Sequence, residues 1–119
     1  MKNDLYLDFE VCTLAAQLPN AKLVFSTDAT AGAHGRNAEE FIGRVEYCGQ
    51  TPMEALVSAS QMAAEALEMA DQLGRLAPGY QADIIALDGD PLQDITAVQR
   101  VVFVMRGGVV YKWTGGAAE

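Results

Sequence analysis

Basic residues are scarce in this chain of 119 residues, with 8 Lys and Arg against 16 Asp and Glu and a formal charge of −8. Phosphate binding needs clustered cations, and the few here are scattered. No nucleic acid is therefore expected as a partner, and an anionic membrane surface is disfavoured. No apolar run approaches the roughly 20 residues of a membrane span, so no membrane partner is expected. Met1-Lys2-Asn3-Asp4 lacks the apolar centre of a signal peptide, and the expected location is cytoplasmic. Cysteine and histidine are also few, at two and one. Cys12 and Cys48 each lie in a helix-like amphipathic stretch, where two reduced thiols acting as small hydrophobes are expected. A zinc site built on them would need more ligands than one histidine supplies.

What the chain does have is apolar residues, which make up half of it. That fits one compact domain, burying roughly two thirds of its unfolded surface without staples or metal. Leu5, Phe9, Cys12 and Ala16 recur at helical spacing, and Pro19-Asn20 stops the pattern. Leu23-Val24-Phe25 reads as a short strand buried on both faces, ending in the polar Ser26-Thr27-Asp28. Residues 29–36 are small and glycine-rich, which predicts a loop. Asn37 with Glu40 has the form of a capping box, opening a helix over Phe41, Val45 and Cys48 that Gly49 ends. Thr51, Pro52 and Glu54 repeat that signal for a helix running to about Met69, with a break near Ser58 to Ser60.

The style changes at Gly74. Ala82 to Leu87 reads as a strand, and Asp88-Gly89-Asp90-Pro91 is loop chemistry. Val101 to Met105 and Val109 to Tyr111 flank Arg106-Gly107-Gly108 as a hairpin. The spacing of Asp83, Asp88, Asp90 and Asp94 is not that of a calcium loop, and the Gly32 and Gly35 pair fits no phosphate-binding fingerprint. A single strand of the Leu23-Val24-Phe25 type needs neighbours on both edges for its backbone groups. The rest of this chain does not supply them.

An ordered set of motifs adds to this reading. Ser26-Thr27-Asp28 comes first, then His34-Gly35-Arg36-Asn37-Ala38-Glu39-Glu40, then Gln50-Thr51-Pro52-Met53-Glu54-Ala55-Leu56. Leu73-Gly74-Arg75 through Ala82-Asp83-Ile84-Ile85-Ala86-Leu87 follows, with Asp90-Pro91-Leu92-Gln93-Asp94-Ile95 and the valine-rich hairpin behind it. The set resembles the C-terminal portion of the metal-dependent amidohydrolase superfamily, in its imidazolonepropionase-like and Xaa-Pro-dipeptidase-like branch. The resemblance covers nearly the whole chain after Leu23.

It implies an α/β fold: the last strand–helix units of a (β/α)8 TIM-type barrel over residues 1–73, the C-terminal part of a small β-sandwich over 74–114, and a tail at 115–119. A full barrel takes about 250 residues, so the expected partner is the missing N-terminal barrel portion or, in its place, further copies of the chain. By position, the resemblance makes Asp28 a ligand of a divalent metal, zinc in the first instance. It also makes Asp28 the base for the metal-activated water that hydrolyses a C–N bond in a small-molecule substrate. His34 falls in the following loop, where it would contact substrate. From spacing alone, Asp28 reads instead as a strand-ending turn residue and His34 as a solvated loop residue. The family's other metal ligands are absent from the sequence, so no cofactor and no activity are expected of this chain by itself. A non-catalytic, self-associating domain derived from such an enzyme and a metal-free small-molecule binding module are the alternatives.

Overall fold

The computed structural model describes residues 3–29 and 34–115. The side chains of Leu5 and Phe9, most of the loop expected at 29–36 (residues 30–33) and residues 116–119 of the tail lie outside the described residues. Among the described residues, four α-helices precede a three-stranded sheet: α1 Asn3–Ala16, α2 Glu39–Glu46, α3 Pro52–Ala59 and α4 Gln61–Ala66, then β1 Ile84–Leu87, a 3₁₀ helix Ile95–Gln99, β2 Val101–Arg106 and β3 Val109–Trp113.

Local chemistry explains most boundaries. At the start of α3, the Thr51 hydroxyl accepts from the Glu54 backbone N–H, and the Glu54 carboxylate accepts from the Thr51 N–H at 2.7 Å. With Pro52 at the first helical position, the capping box forms as its spacing predicts. The expected break falls at Ser60, which separates α3 from α4. The capping box expected of Asn37 and Glu40 does not form. Instead α2 starts from Ala38 without a side-chain cap, the Asn37 amide turns to the Thr27 hydroxyl at 3.4 Å, and Glu40 pairs with Arg44.

The sheet is antiparallel in the order β1-β2-β3, with Ile85 opposite Val104 and Phe103 opposite Trp113. Gly107 and Gly108, at φ of 56° and 81°, make the two-residue hairpin turn, which needs positive φ at both positions. Asp83 accepts from the Gly107 N–H at 2.7 Å, and Asp94 caps the 3₁₀ helix through the Thr96 N–H. Asp90 accepts from the Leu92 N–H at 2.9 Å. These three carboxylates are taken up by turns and caps. The 3₁₀ helix, with Ile95, Ala97 and Val98 buried, packs on α2 and joins the sheet to the helices.

Leu23-Val24-Phe25 forms no strand. Its surroundings explain why: the strand period is there, but among the described residues no other strand lies beside it. Leu23, Phe25 and Thr27 are half-buried and Ala29 is buried, whereas Val24, Ser26 and Asp28 are exposed. That alternation is the two-residue period of a strand with one open face, where two buried faces were expected. The Phe25 N–H reaches the Ser58 carbonyl on α3 at 3.2 Å. Among the described residues, no other backbone N–H of residues 22–27 has a backbone acceptor.

The two cysteines also differ from expectation. Cys12 and Cys48 form a disulfide, because the end of α1 and the turn after α2 bring their Cα atoms to 5.4 Å. That separation lies in the range a disulfide spans. The Thr13 hydroxyl donates to the Tyr47 carbonyl beside it, at 2.9 Å.

Among the described residues, the buried apolar side chains are only Ala29, Cys48, Ala55, Ala64, Ile95, Ala97 and Val98. No Leu, Met or aromatic ring is among them, although Val11, Leu14, Leu76, Tyr111 and Trp113 are each more than 60 % exposed. The radius of gyration is 15.6 Å, against about 13.5 Å for a compact domain of this length. The expected self-sufficient core is absent because the large apolar residues face outward from both the helices and the sheet.

Candidate functional site

The candidate site lies where residues 21–28 run out beside α2. Lys22 ties the start of this segment to Glu65 of α4 at 2.9 Å, and Phe25 is fixed near its middle. The Phe25 ring packs on Phe41 of α2 with centroids 4.3 Å apart. The segment ends at Asp28, whose φ of 44° lies in the left-handed region that aspartate tolerates better than most residues. Asp28 is exposed on the same open face as Val24 and Ser26.

His34 is exposed on the far side of residues 30–33. Beside it, Arg36 grips Glu39 in a two-pronged ion pair, Nε to Oε1 at 2.8 Å and Nη2 to Oε2 at 2.7 Å. The hydrogen bond from Arg36 holds the Glu39 carboxyl below its ordinary range, and the same bond raises the Arg36 guanidinium.

Among the described residues, no three His, Cys, Asp or Glu side chains gather closely enough to hold a metal ion. Three protein ligands is the usual minimum for a catalytic zinc. The described side chains alone therefore do not fit the metal centre that the resemblance implies.

One prominent residue was not legible beforehand. Arg44 of α2 is only 7 % exposed, and its guanidinium serves several groups at once. Nε donates to the Glu40 carboxylate at 2.9 Å and Nη2 to the Val24 carbonyl at 3.0 Å, and the guanidinium carbon stands 5.3 Å from the centre of the Phe25 ring. Nη1 is buried with no acceptor among the described residues, as is Oε1 of Gln50 with no donor. The available signal was the Glu40/Arg44 spacing of four, which normally marks a solvated helix pair. An open groove of about 890 Å³ runs beside it, lined in part by Val11, Ala15, Leu23, Val24, Glu40 and Arg44.

Comparison with known proteins identifies the family. Residues 2–111 match the model of the amidohydrolase family, and the chain belongs to that family. Ochratoxinase of Aspergillus niger is 37% identical over 97 residues, which cover 78% of this chain and 20% of that protein. Imidazolonepropionase of Desulfotalea psychrophila is 36% identical over 70 residues, covering 57% of this chain and 17% of its own length. Among solved structures, a Xaa-Pro dipeptidase with methionine bound in its active site superposes with a TM-score of 0.83 at 35% identity, over 87% of this chain and 25% of that one. The resemblance to the imidazolonepropionase-like and Xaa-Pro-dipeptidase-like branch is thus borne out. The chain spans about a sixth to a quarter of the length of these relatives.

Proposed function

We propose that this chain is the C-terminal portion of a metal-dependent amidohydrolase that cleaves C–N bonds of amide, cyclic amide or dipeptide type in a small molecule. In this reading residues 1–73 are the last strand–helix units of a (β/α)8 barrel, and residues 74–114 are part of a small β-sandwich. The observation that carries it is segment 21–28: it has the period of a strand, lacks strand neighbours and presents Asp28 at its end on an open face. Barrel enzymes of this type place their catalytic groups at the C-terminal ends of strands. The outward-facing apolar residues of α1 and of the sheet support the same reading.

In the assembled site Asp28 acts as metal ligand and general base. Its carboxylate takes a proton from the water whose oxygen bonds to the scissile carbonyl carbon. The C–N bond then breaks, and the nitrogen leaves with that proton. His34 contacts the substrate from the loop. A divalent ion, zinc in the first instance, would polarise the carbonyl once held. Its remaining ligands would have to come from outside this chain.

The test is reconstitution. The chain alone should show negligible zinc-dependent hydrolysis of acyl-amino acids or dipeptides. Mixed with the barrel portion it lacks, it should show turnover that Asp28→Asn lowers by roughly 100-fold or more. Turnover by the isolated chain that Asp28→Asn abolishes would overturn this reading. The exposed apolar surface also favours a second one, a non-catalytic domain that self-associates. A discrete oligomer in solution that gains no activity from the barrel portion would select it.

A further inference from the structure

We propose that the open surface between residues 22–27 and α2 receives a β-strand from the preceding part of an amidohydrolase barrel, and that the buried Arg44 guanidinium donates through Nη1 to an oxygen of the incoming chain. The proposal rests on the barrel reading above and adds to it the docking surface and the residue that reads the partner.

Arg44 is the reason for choosing this surface over the other exposed apolar faces. A guanidinium is always charged, and leaving one of its donors buried without an acceptor costs stability. Here Nε and Nη2 are satisfied by Glu40 and Val24, and Nη1 is not. A backbone carbonyl or a carboxylate on an added strand would complete the set. The same approach would pair the backbone N–H groups of Val24 and Ser26, which point to the edge that Arg44 borders and have no backbone acceptor among the described residues. It would also cover Val24 and, on α1, Val11 and Leu14, which are exposed. The occupant follows from the relatives: the Xaa-Pro dipeptidase keeps the fold of 87% of this chain, and three quarters of its own chain lies beyond the match. Edge pairing of this kind takes its affinity from main-chain hydrogen bonds and its selectivity from side chains such as Arg44.

The experiment mixes the full chain with a Xaa-Pro dipeptidase-like polypeptide from which the portion matching this chain has been deleted. Amide hydrogen exchange is followed across residues 22–27, and affinity is measured for the wild type, Arg44→Lys and Arg44→Met. Exchange at 22–27 should slow by about 10-fold or more on mixing. Both variants should bind roughly 10- to 100-fold more weakly, the effect of losing one charge-assisted hydrogen bond. Thermal melts of the free variants show whether they still fold, and the exchange measurement on the wild type does not depend on them. A complex that regains hydrolysis with 22–27 protected, while Arg44→Lys and Arg44→Met bind as tightly as the wild type, would overturn this proposal and leave the barrel reading standing. Protection of 22–27 in the chain alone, at the mass of a dimer and without any complex, would assign the surface to a second copy and count against both. Neither complex nor protection would also overturn both.

Discussion

The rings of Phe25 and Phe41 meet with centroids 4.3 Å apart and planes inclined by 32°. This contact, with the Arg44 guanidinium against Phe25, holds the segment that leads to Asp28 onto α2. Few other large apolar contacts are buried here, so the pair carries a large share of the local stability. Phe41→Ala should destabilise the chain by about 2 kcal/mol, below the full cost of a core phenylalanine because both rings are half-buried. Urea unfolding checks the value, and Phe41→Leu should recover about half of it. An unchanged midpoint in Phe41→Ala would mean that the segment is held from α3 and α4 instead.

The cap on α3 gives a prediction with a pH dependence. Thr51 hydrogen bonds, from its backbone first and its side chain second, hold the Glu54 carboxyl below its ordinary value of 4.5. A depressed carboxyl stabilises the fold above its unfolded pKa, and that contribution is lost as pH falls through the folded value. Thr51→Ala should therefore cost about 1 kcal/mol at pH 7. The difference from wild type should shrink as pH is lowered from 5 towards 3. Denaturant titrations across that range measure it, and a cost independent of pH would show that the Thr51 hydroxyl does not help to hold the Glu54 carboxylate, which the Thr51 backbone N–H bonds in wild type and variant alike.

What the sequence made legible were features with a local cause. Thr51-Pro52 with Glu54 is complete within one helical turn, and Gly107-Gly108 sets the hairpin turn by itself. The ordered motifs around Asp28 made the family legible. Features settled by tertiary placement were not. Leu23-Val24-Phe25 has the composition of a strand, but a strand also needs neighbours, and α2 and α3 cannot stand in for them beyond single hydrogen bonds. Asn37 had a capping geometry available and spent its amide on Thr27, ten residues away in sequence. The burial of Arg44 depends on where residues 21–28 cross α2, which no periodicity reveals.

The Cys12–Cys48 bridge belongs with the tertiary features, since its partners are 36 residues apart. Purified without reductant and then unfolded, the chain should show no thiol reactive to an aromatic disulfide reagent, and two after reduction. Closing a loop of that length removes enough unfolded-state entropy for a stabilisation of up to about 4 kcal/mol. Cys48→Ser should lower the unfolding midpoint, and in the wild type reductant should reproduce the loss. Two reactive thiols in the unreduced, unfolded chain would restore the expectation of free cysteines and leave Thr13 and Tyr47 as a remaining tie between α1 and the end of α2.

Gly74 and Gly79 separate two costs that a glycine can hide. Both have positive φ, 85° and 88°, so alanine is conformationally strained at either position. They differ in space. A Cβ on Gly74 would stand 2.8 Å from the Ser60 carbonyl oxygen and 2.9 Å from the Ala64 Cβ, whereas one on Gly79 would meet nothing within 4 Å. Gly79→Ala should therefore cost about 1 kcal/mol, from the backbone alone. Gly74→Ala should cost about 2 to 3 kcal/mol, because α4 must also move away. Thermal unfolding of the two variants side by side gives the difference. Equal losses would mean that the chain between Gly74 and α4 yields without cost, and that residues 74–114 are joined to the helices mainly through the 3₁₀ helix on α2.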